Sequence, residues 1–198
     1  IFIIMKSICV FCASSLGERE EYRQAAEALG SVLARQNIRL IYGGAKVGLM
    51  GAVADAVIKG GGKVTGVLPH FLSGKEIAHT NLSELILVES MHERKQQMSL
   101  LADGFIALPG GYGTLEELLE IITWGQLGLH HKPVLVLNIN GYYDHLIKLL
   151  DHMTSEGLLK ERHRRMMLFT NRVEDAINQM LHYSPPVINP LIDKHSKT

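Results

Sequence analysis

A chain of 198 residues is long enough to bury a full hydrophobic core and is expected to form one domain. Apolar residues make up 46% of it, with 19 glycines and few aromatics, which fits an α/β protein with many tight turns. Lys plus Arg and Asp plus Glu number 20 each, so the net charge is zero; this excludes a global field that draws the chain to nucleic acid or to an anionic membrane, and any anion site must be local.

In chain order, Ile1 to Ile4 is apolar but, with Met5-Lys6, far too short for a membrane span and without the layout of a signal peptide. Met5 is read as the natural start, residues 1–5 as an extension, and the cytoplasm as the compartment. Ser7 to Ala13 reads as a first strand, apolar almost throughout, as a parallel strand covered on both faces should be. Its Cys9 and Cys12 have redox-like C-x-x-C spacing. On a strand, however, they point to opposite faces, and core packing is the expected role. Ser14-Ser15 follows at the strand's carboxyl end, and Glu18 to Gln36 is predicted helical, with Tyr22, Ala25, Ala26, Leu29, Val32 and Leu33 on its buried side.

Ile38 to Tyr42 is a second strand, and the loop from Gly43 through Gly44 and Gly48 to Gly51 leads into a helix reaching about Lys59. Gly60-Gly61-Gly62 ends it. Val64 to Leu68 is a third strand, stopped by Pro69, and a polar connection with Lys75, Glu76 and His79 leads to a fourth, Leu85 to Val88. Met91 to Leu101 is helical, with Arg94 and Lys95 in its first turns.

Phe105 to Leu108 is a fifth strand. Pro109 ends it, Gly110, Gly111 and Gly113 let the backbone turn sharply around Tyr112, and Thr114 opens a helix whose Leu115, Leu118, Leu119 and Ile122 recur at helical spacing out to about Leu129. Strand, glycine loop and helix N-terminus gather bare N–H groups and the positive end of a helix dipole in one volume, which suits a phosphate. A tight turn without a ligand is the competing reading. Pro133 to Asn138, a helix from Tyr142 to Thr154, a short edge strand Met167 to Phe169 and a helix Val173 to Leu181 complete the pattern; residues 6–183 form the expected domain and 184–198 a tail. Alternating strands and helices predict a single-domain, Rossmann-like, doubly wound parallel sheet. Ligands of such sheets sit beyond the strands' carboxyl ends, where Ser14, Gly43 to Gly48, Arg94 and Gly110 to Thr114 all fall.

Two stretches carry a family resemblance. Pro109-Gly110-Gly111-Tyr112-Gly113-Thr114-Leu115-Glu116-Glu117 matches P-G-G-x-G-T-x-x-E, and Met91-His92-Glu93-Arg94-Lys95 resembles M-x-x-R-K, in the order and spacing of the LONELY GUY family of cytokinin riboside monophosphate phosphoribohydrolases, formerly described as lysine decarboxylases. Leu40 to Gly51 and Ile122 to Pro133 are similar as well, so the resemblance spans roughly residues 6 to 180. Ala45 stands where the family's third loop glycine is usual, and Ala13 where a glycine is usual in C-G-S-S.

The resemblance implies hydrolysis of the N-glycosidic bond of AMP or N6-substituted AMP. Glu117 and Arg94 would be the catalytic pair, and Lys95 and the Gly110 to Thr114 loop would contact phosphate. Met91, Glu116, and the more weakly matched Glu76 and Thr123 would border the ligand. It also implies a homodimer, with the apolar helix Leu118 to Leu129 as the expected contact. On residues alone Thr114-x-x-Glu117 is equally a capping box, and Arg94 a solvated helix charge. No cofactor is expected. A decarboxylase would need a lysine to carry pyridoxal phosphate and partners for its ring, which no segment presents. None of the ten histidines has metal-ligand spacing. A nucleotide-binding module without catalysis is the alternative function.

Overall fold

The computed structural model describes residues 5–73 and 78–187, so Glu76 and Lys75 lie outside the described residues. Within them the chain runs β1 (Ser7–Phe11), α1 (Glu20–Arg35), β2 (Arg39–Tyr42), α2 (Gly48–Lys59), β3 (Val64–Pro69), α3 (His70–Ser73), β4 (Glu84–Val88), α4 (Met91–Leu101), β5 (Gly104–Ala107), α5 (Tyr112–Gln126), β6 (Val134–Leu137), α6 (Asp144–Ser155), α7 (Glu161–Arg164), β7 (Met167–Thr170) and α8 (Val173–Leu181). All seven strands are parallel, in the order β4-β3-β2-β1-β5-β6-β7. This is the doubly wound sheet expected from the alternating pattern.

Period-two alternation along the strands assigns each face its helices. Ile8, Val10, Leu40 and Ile106 point into a core with Leu29, Val53, Ile177 and Met180, the buried sides of α1, α2 and α8. Cys9, Phe11, Ile41 and Phe105 point the other way, against Met98, Leu118, Ile121 and Leu150 of α4, α5 and α6. Cys9 and Cys12 therefore serve opposite cores as free, buried thiols. Burial pushes both thiols well above their ordinary pKa, with the nearby Glu117 carboxylate adding to it, which removes the thiolate a redox pair needs. Among the described residues no helix is long and apolar enough to cross a membrane.

The topology makes one crevice. β1 has β2 on one side and β5 on the other, and its following helix α1 packs on the opposite face of the sheet from α5. Where consecutive crossovers part to opposite faces, the strand ends open into a cleft. Two details differ from the expected elements. Pro69 ends β3 inside the ladder, opposite Val88, rather than stopping the strand before it, since a last-position proline gives up no needed N–H. The fifth helix starts at Tyr112, with Gly111 as its N-cap, rather than at Thr114.

Candidate active site

That two-residue difference decides the role of Glu117. With Gly111 at the N-cap, Thr114 sits inside the first turn and cannot form the outer half of a capping box with Glu117. Glu117 Oε1 instead accepts from Arg94 Nη1 at 2.9 Å, and the two side chains are only 11% and 12% exposed. A box-like cap stands at the head of α4, where Ser90 Oγ accepts from the Glu93 N–H and a Glu93 carboxylate oxygen accepts from the Glu89 N–H. Ser90-x-x-Glu93 was readable in the sequence. It fixes where α4 begins, and so which way Arg94, one residue on, points.

Arg94 is held from several elements. Its Nε donates to the Val67 carbonyl of β3 at 3.1 Å and its Nη1 to Glu117 of α5. Burial lifts the Glu117 carboxyl above its ordinary pKa, and the Arg94 guanidinium works against that rise. The pair borders a crevice of about 370 Å³ lined by Cys12 to Ser15, Gly43, Met50, Arg94, Gly111 to Thr114 and Glu117.

The α5 end of this crevice can take an anion. Among the described residues, the N–H groups of Tyr112, Gly113 and Thr114 have no hydrogen-bond partner; the helix ladder begins with Leu115 N–H to the Gly111 carbonyl at 3.1 Å. The loop is braced from behind, where Tyr143 Oη donates to the Leu108 carbonyl and Tyr142 Oη to the Gly110 carbonyl, each at 2.8 Å. Nothing in the sequence marked these tyrosines as supports, although their adjacency just past an apolar strand was visible.

The second glycine loop behaves otherwise. The Leu49 N–H donates to the Ala13 carbonyl at 3.1 Å and the Met50 N–H to the same oxygen at 3.4 Å, so the α2 N-terminus is closed by the β1 loop. Gly48, at φ +59°, is pressed against the backbone of Ser14 and Ser15, and Gly44, at φ +77°, turns toward Leu68 and Leu85 rather than toward the crevice.

Of the residues expected at a ligand, the structure brings together Ser14, Arg94, Gly111, Tyr112, Gly113, Thr114 and Glu117, with Gly110 directly behind. It does not bring Lys95 there. Lys95 Nζ bonds to Glu116 and, at 3.0 Å, to Glu120; burial works against its charge, but those two carboxylates hold its pKa above the ordinary value. Glu116 is thereby engaged with Lys95. Thr123 is exposed on α5 and donates to the Leu119 carbonyl, and Met91 opens α4 outside the crevice lining.

Fold and site together define a Rossmann-like α/β protein with an open helix N-terminus and a buried Arg–Glu pair facing one switch-point crevice. Comparison with known proteins narrows this class. The profile of a family described as possible lysine decarboxylase matches residues 50–180. The cytokinin riboside 5'-monophosphate phosphoribohydrolase LOG7 of Arabidopsis thaliana is 48% identical over 91% of this chain and 83% of its own. The probable cytokinin riboside 5'-monophosphate phosphoribohydrolase LOGL9 of Oryza sativa subsp. japonica is 46% identical over 91% and 79%. The chain belongs to this LONELY GUY, or LOG, family. Among solved structures, a molybdenum cofactor binding protein from Rippkaea orientalis superposes with a TM-score of 0.68, covering 89% of this chain and 96% of that one. The Moco carrier protein of Chlamydomonas reinhardtii superposes at 0.66, covering 90% and 98%. At 20% identity both show the shared fold.

Proposed function

We propose that this protein hydrolyses the N-glycosidic bond of AMP or an N6-substituted AMP, releasing the free base and ribose 5-phosphate. The observation that carries the reading is the buried Arg94–Glu117 pair set beside unpaired N–H groups at the head of α5. The 5′-phosphate would take the Tyr112, Gly113 and Thr114 N–H groups and the Thr114 hydroxyl. Glu117 lies three residues farther along α5, about 4.5 Å of helix rise, a span comparable with a ribose.

Cleaving the bond from C1′ to the base nitrogen leaves positive charge on the ribose, and a carboxylate facing the sugar stabilises it. Water then adds to C1′; one of its protons passes to Glu117 and from there to the departing base, which leaves neutral while the carboxylate recovers its charge. Arg94 opposes the burial that would neutralise Glu117, and so favours its charged form. Phosphate binding, remote from the broken bond, holds the ribose in the reactive orientation.

Relatives named phosphoribohydrolases support this reading. A Schiff-base decarboxylase is not supported, since among the described residues no lysine lines the crevice. A homodimer would accompany it: Leu119, Leu127 and Leu129 along and after α5 and Leu100 on α4 are exposed and are the side chains a second copy would cover, although Leu118, at the start of the expected contact, is itself fully buried. Light scattering of the purified protein tests that assembly. Free thiols at Cys9 and Cys12 fit a reducing compartment, and the cytoplasm is the proposed location.

Incubation with AMP, N6-isopentenyl-AMP and adenosine, followed by chromatography of base and ribose 5-phosphate, tests the activity. Base released from the monophosphates alone is the expected result. Binding of AMP without release would instead make the protein a nucleotide-binding module.

A further inference from the structure

We infer that Gly43 is a positioning residue for Arg94: the absence of a side chain at position 43 is the seat into which the guanidinium fits. This rests on Arg94 and Glu117 acting as proposed above, but the geometry is independent of that reading. Gly43 follows the last residue of β2, is buried and lines the crevice. A Cβ built on it would overlap Arg94 Nη2 and stand 3.2 Å from both Arg94 Cζ and Met50 Sδ. Unlike Gly44 and Gly48, Gly43 does not have a positive φ, so an alanine there meets no backbone penalty. The obstacle is the tip of a flexible side chain, which a methyl group would displace at small cost to the fold.

Three of the guanidinium's directions are thus assigned. Nε is fixed by the Val67 carbonyl, Nη1 by Glu117, and Nη2 fills the space left open by Gly43. A methyl at position 43 displaces the group from the position in which its Nη1 reaches Glu117. The charged and titratable groups acting on Glu117 are Arg94 and Lys95 from α4 and Glu116 from its own helix, with Cys9 and Cys12 on the β1 side. Arg94 is the one that hydrogen-bonds it, and its displacement should be felt directly as a rise in the Glu117 pKa.

The test compares Gly43→Ala, Arg94→Ala and the double variant by two readouts: titration of the Glu117 carboxyl by carbon NMR, and kcat and KM on AMP. Displacement of a reacting group by about an ångström costs on the order of 100-fold in rate. Gly43→Ala is therefore expected to lower kcat about that much while KM moves little, and to raise the Glu117 pKa toward its value in Arg94→Ala. The double variant should equal Arg94→Ala alone, because residues acting through one contact are non-additive.

A Glu117 titration unchanged by Gly43→Ala, or losses that add in the double variant, would overturn the inference. Should Gly43→Ala fail to fold, recovery of the fold in the double variant would support it and persistent misfolding would sink it. Absence of turnover in the wild type would defeat the phosphoribohydrolase reading and leave the carboxyl titration to decide the role of Gly43.

Discussion

The chain builds a strand, a glycine loop and a helix twice around one crevice, and the two units end up doing opposite things. At β5–α5 the loop opens outward: Cβ atoms on Gly111 and Gly113 would meet nothing within 4 Å, and the first N–H groups are free among the described residues. At β2–α2 the loop is packed inward against Ser14, Ser15 and Arg94, and its helix N-terminus donates to Ala13. Counting six residues on from each N-cap gives Glu117 in α5 and Val53 in α2, a carboxylate at the crevice and a fully buried core residue. Glycines at a helix head therefore mark either a ligand's approach or another backbone's, and only the partners of the N–H groups distinguish the two.

The largest expected effect lies at the chemical end of α5. Glu117→Gln keeps the volume and removes the charge, and a positioned carboxylate contributes about 10²- to 10⁴-fold; kcat measured on AMP should fall by that order. In the wild type, kcat/KM should decline as pH is lowered through a value above the ordinary carboxylate range, because burial raises the Glu117 pKa and Arg94 offsets this only in part. The sign for stability follows from the same shift. A carboxyl whose folded pKa is raised contributes stability that is full below its unfolded value, roughly pH 4, and lost as pH rises through the folded value. Thermal melts should thus show Glu117→Gln gaining on the wild type as pH rises across that window.

Next in size comes the inward loop. At Gly48 a side chain faces both a φ of +59° and the backbone of Ser14 and Ser15, neither of which can yield cheaply. Gly48→Ala should lose about 2–3 kcal/mol of stability by denaturant unfolding, the range of strain plus overpacking. Full stability in that variant would mean the two loops do not differ as described.

How much of this was legible beforehand varies by level. The apolar runs of β1, β5 and β6 and the helical spacing of α1 and α5 fixed element types and the doubly wound class, because burial on both faces leaves a direct imprint on composition. Arg94 and Glu117 were singled out together by motif and spacing, 23 positions apart, and the fold brings them to 2.9 Å. The inequality of the two glycine loops left no such imprint. Closure of α2 depends on carbonyls of Ala13 and Ser15, contributed by a segment more than thirty residues earlier. The Thr114–Glu117 capping box failed for a related reason: a helix start two residues earlier, at Tyr112 with Gly111 as N-cap, changes which side chains meet the first turn.

A smaller effect sharpens the contrast from the open side. Gly113 lies in the first turn of α5 with open space around its Cα and no positive φ. Gly113→Ala should therefore stabilise the fold by about 0.4–1 kcal/mol, as helix propensity and the unfolded chain's lost freedom dictate. The added methyl projects where a phosphate would approach, so KM for AMP should rise as the melting temperature does. The opposite outcome, a lower melting temperature with unchanged KM, would place this loop with the inward class.

The smallest effect on substrate binding concerns Lys95, which the motif alone marks as a phosphate contact. Its ammonium is spent on Glu116 and Glu120, bracing α4 to α5 on the far side of the pair from the crevice. Lys95→Met retains the stem that packs between the helices and removes the charge. The Glu116 end of the brace is half exposed, at 54%, so the loss should be of the order of 1 kcal/mol, the scale of exposed ion pairs. KM for AMP should stay within about threefold, since removing a direct charge contact to phosphate would cost 1.5–3 kcal/mol, or more than tenfold. Measuring KM beside the denaturation midpoint separates the roles: a brace moves the midpoint, a phosphate ligand moves KM. If KM alone moves, Lys95 swings from its carboxylates to the phosphate on binding, and the anion site extends from α5 to α4.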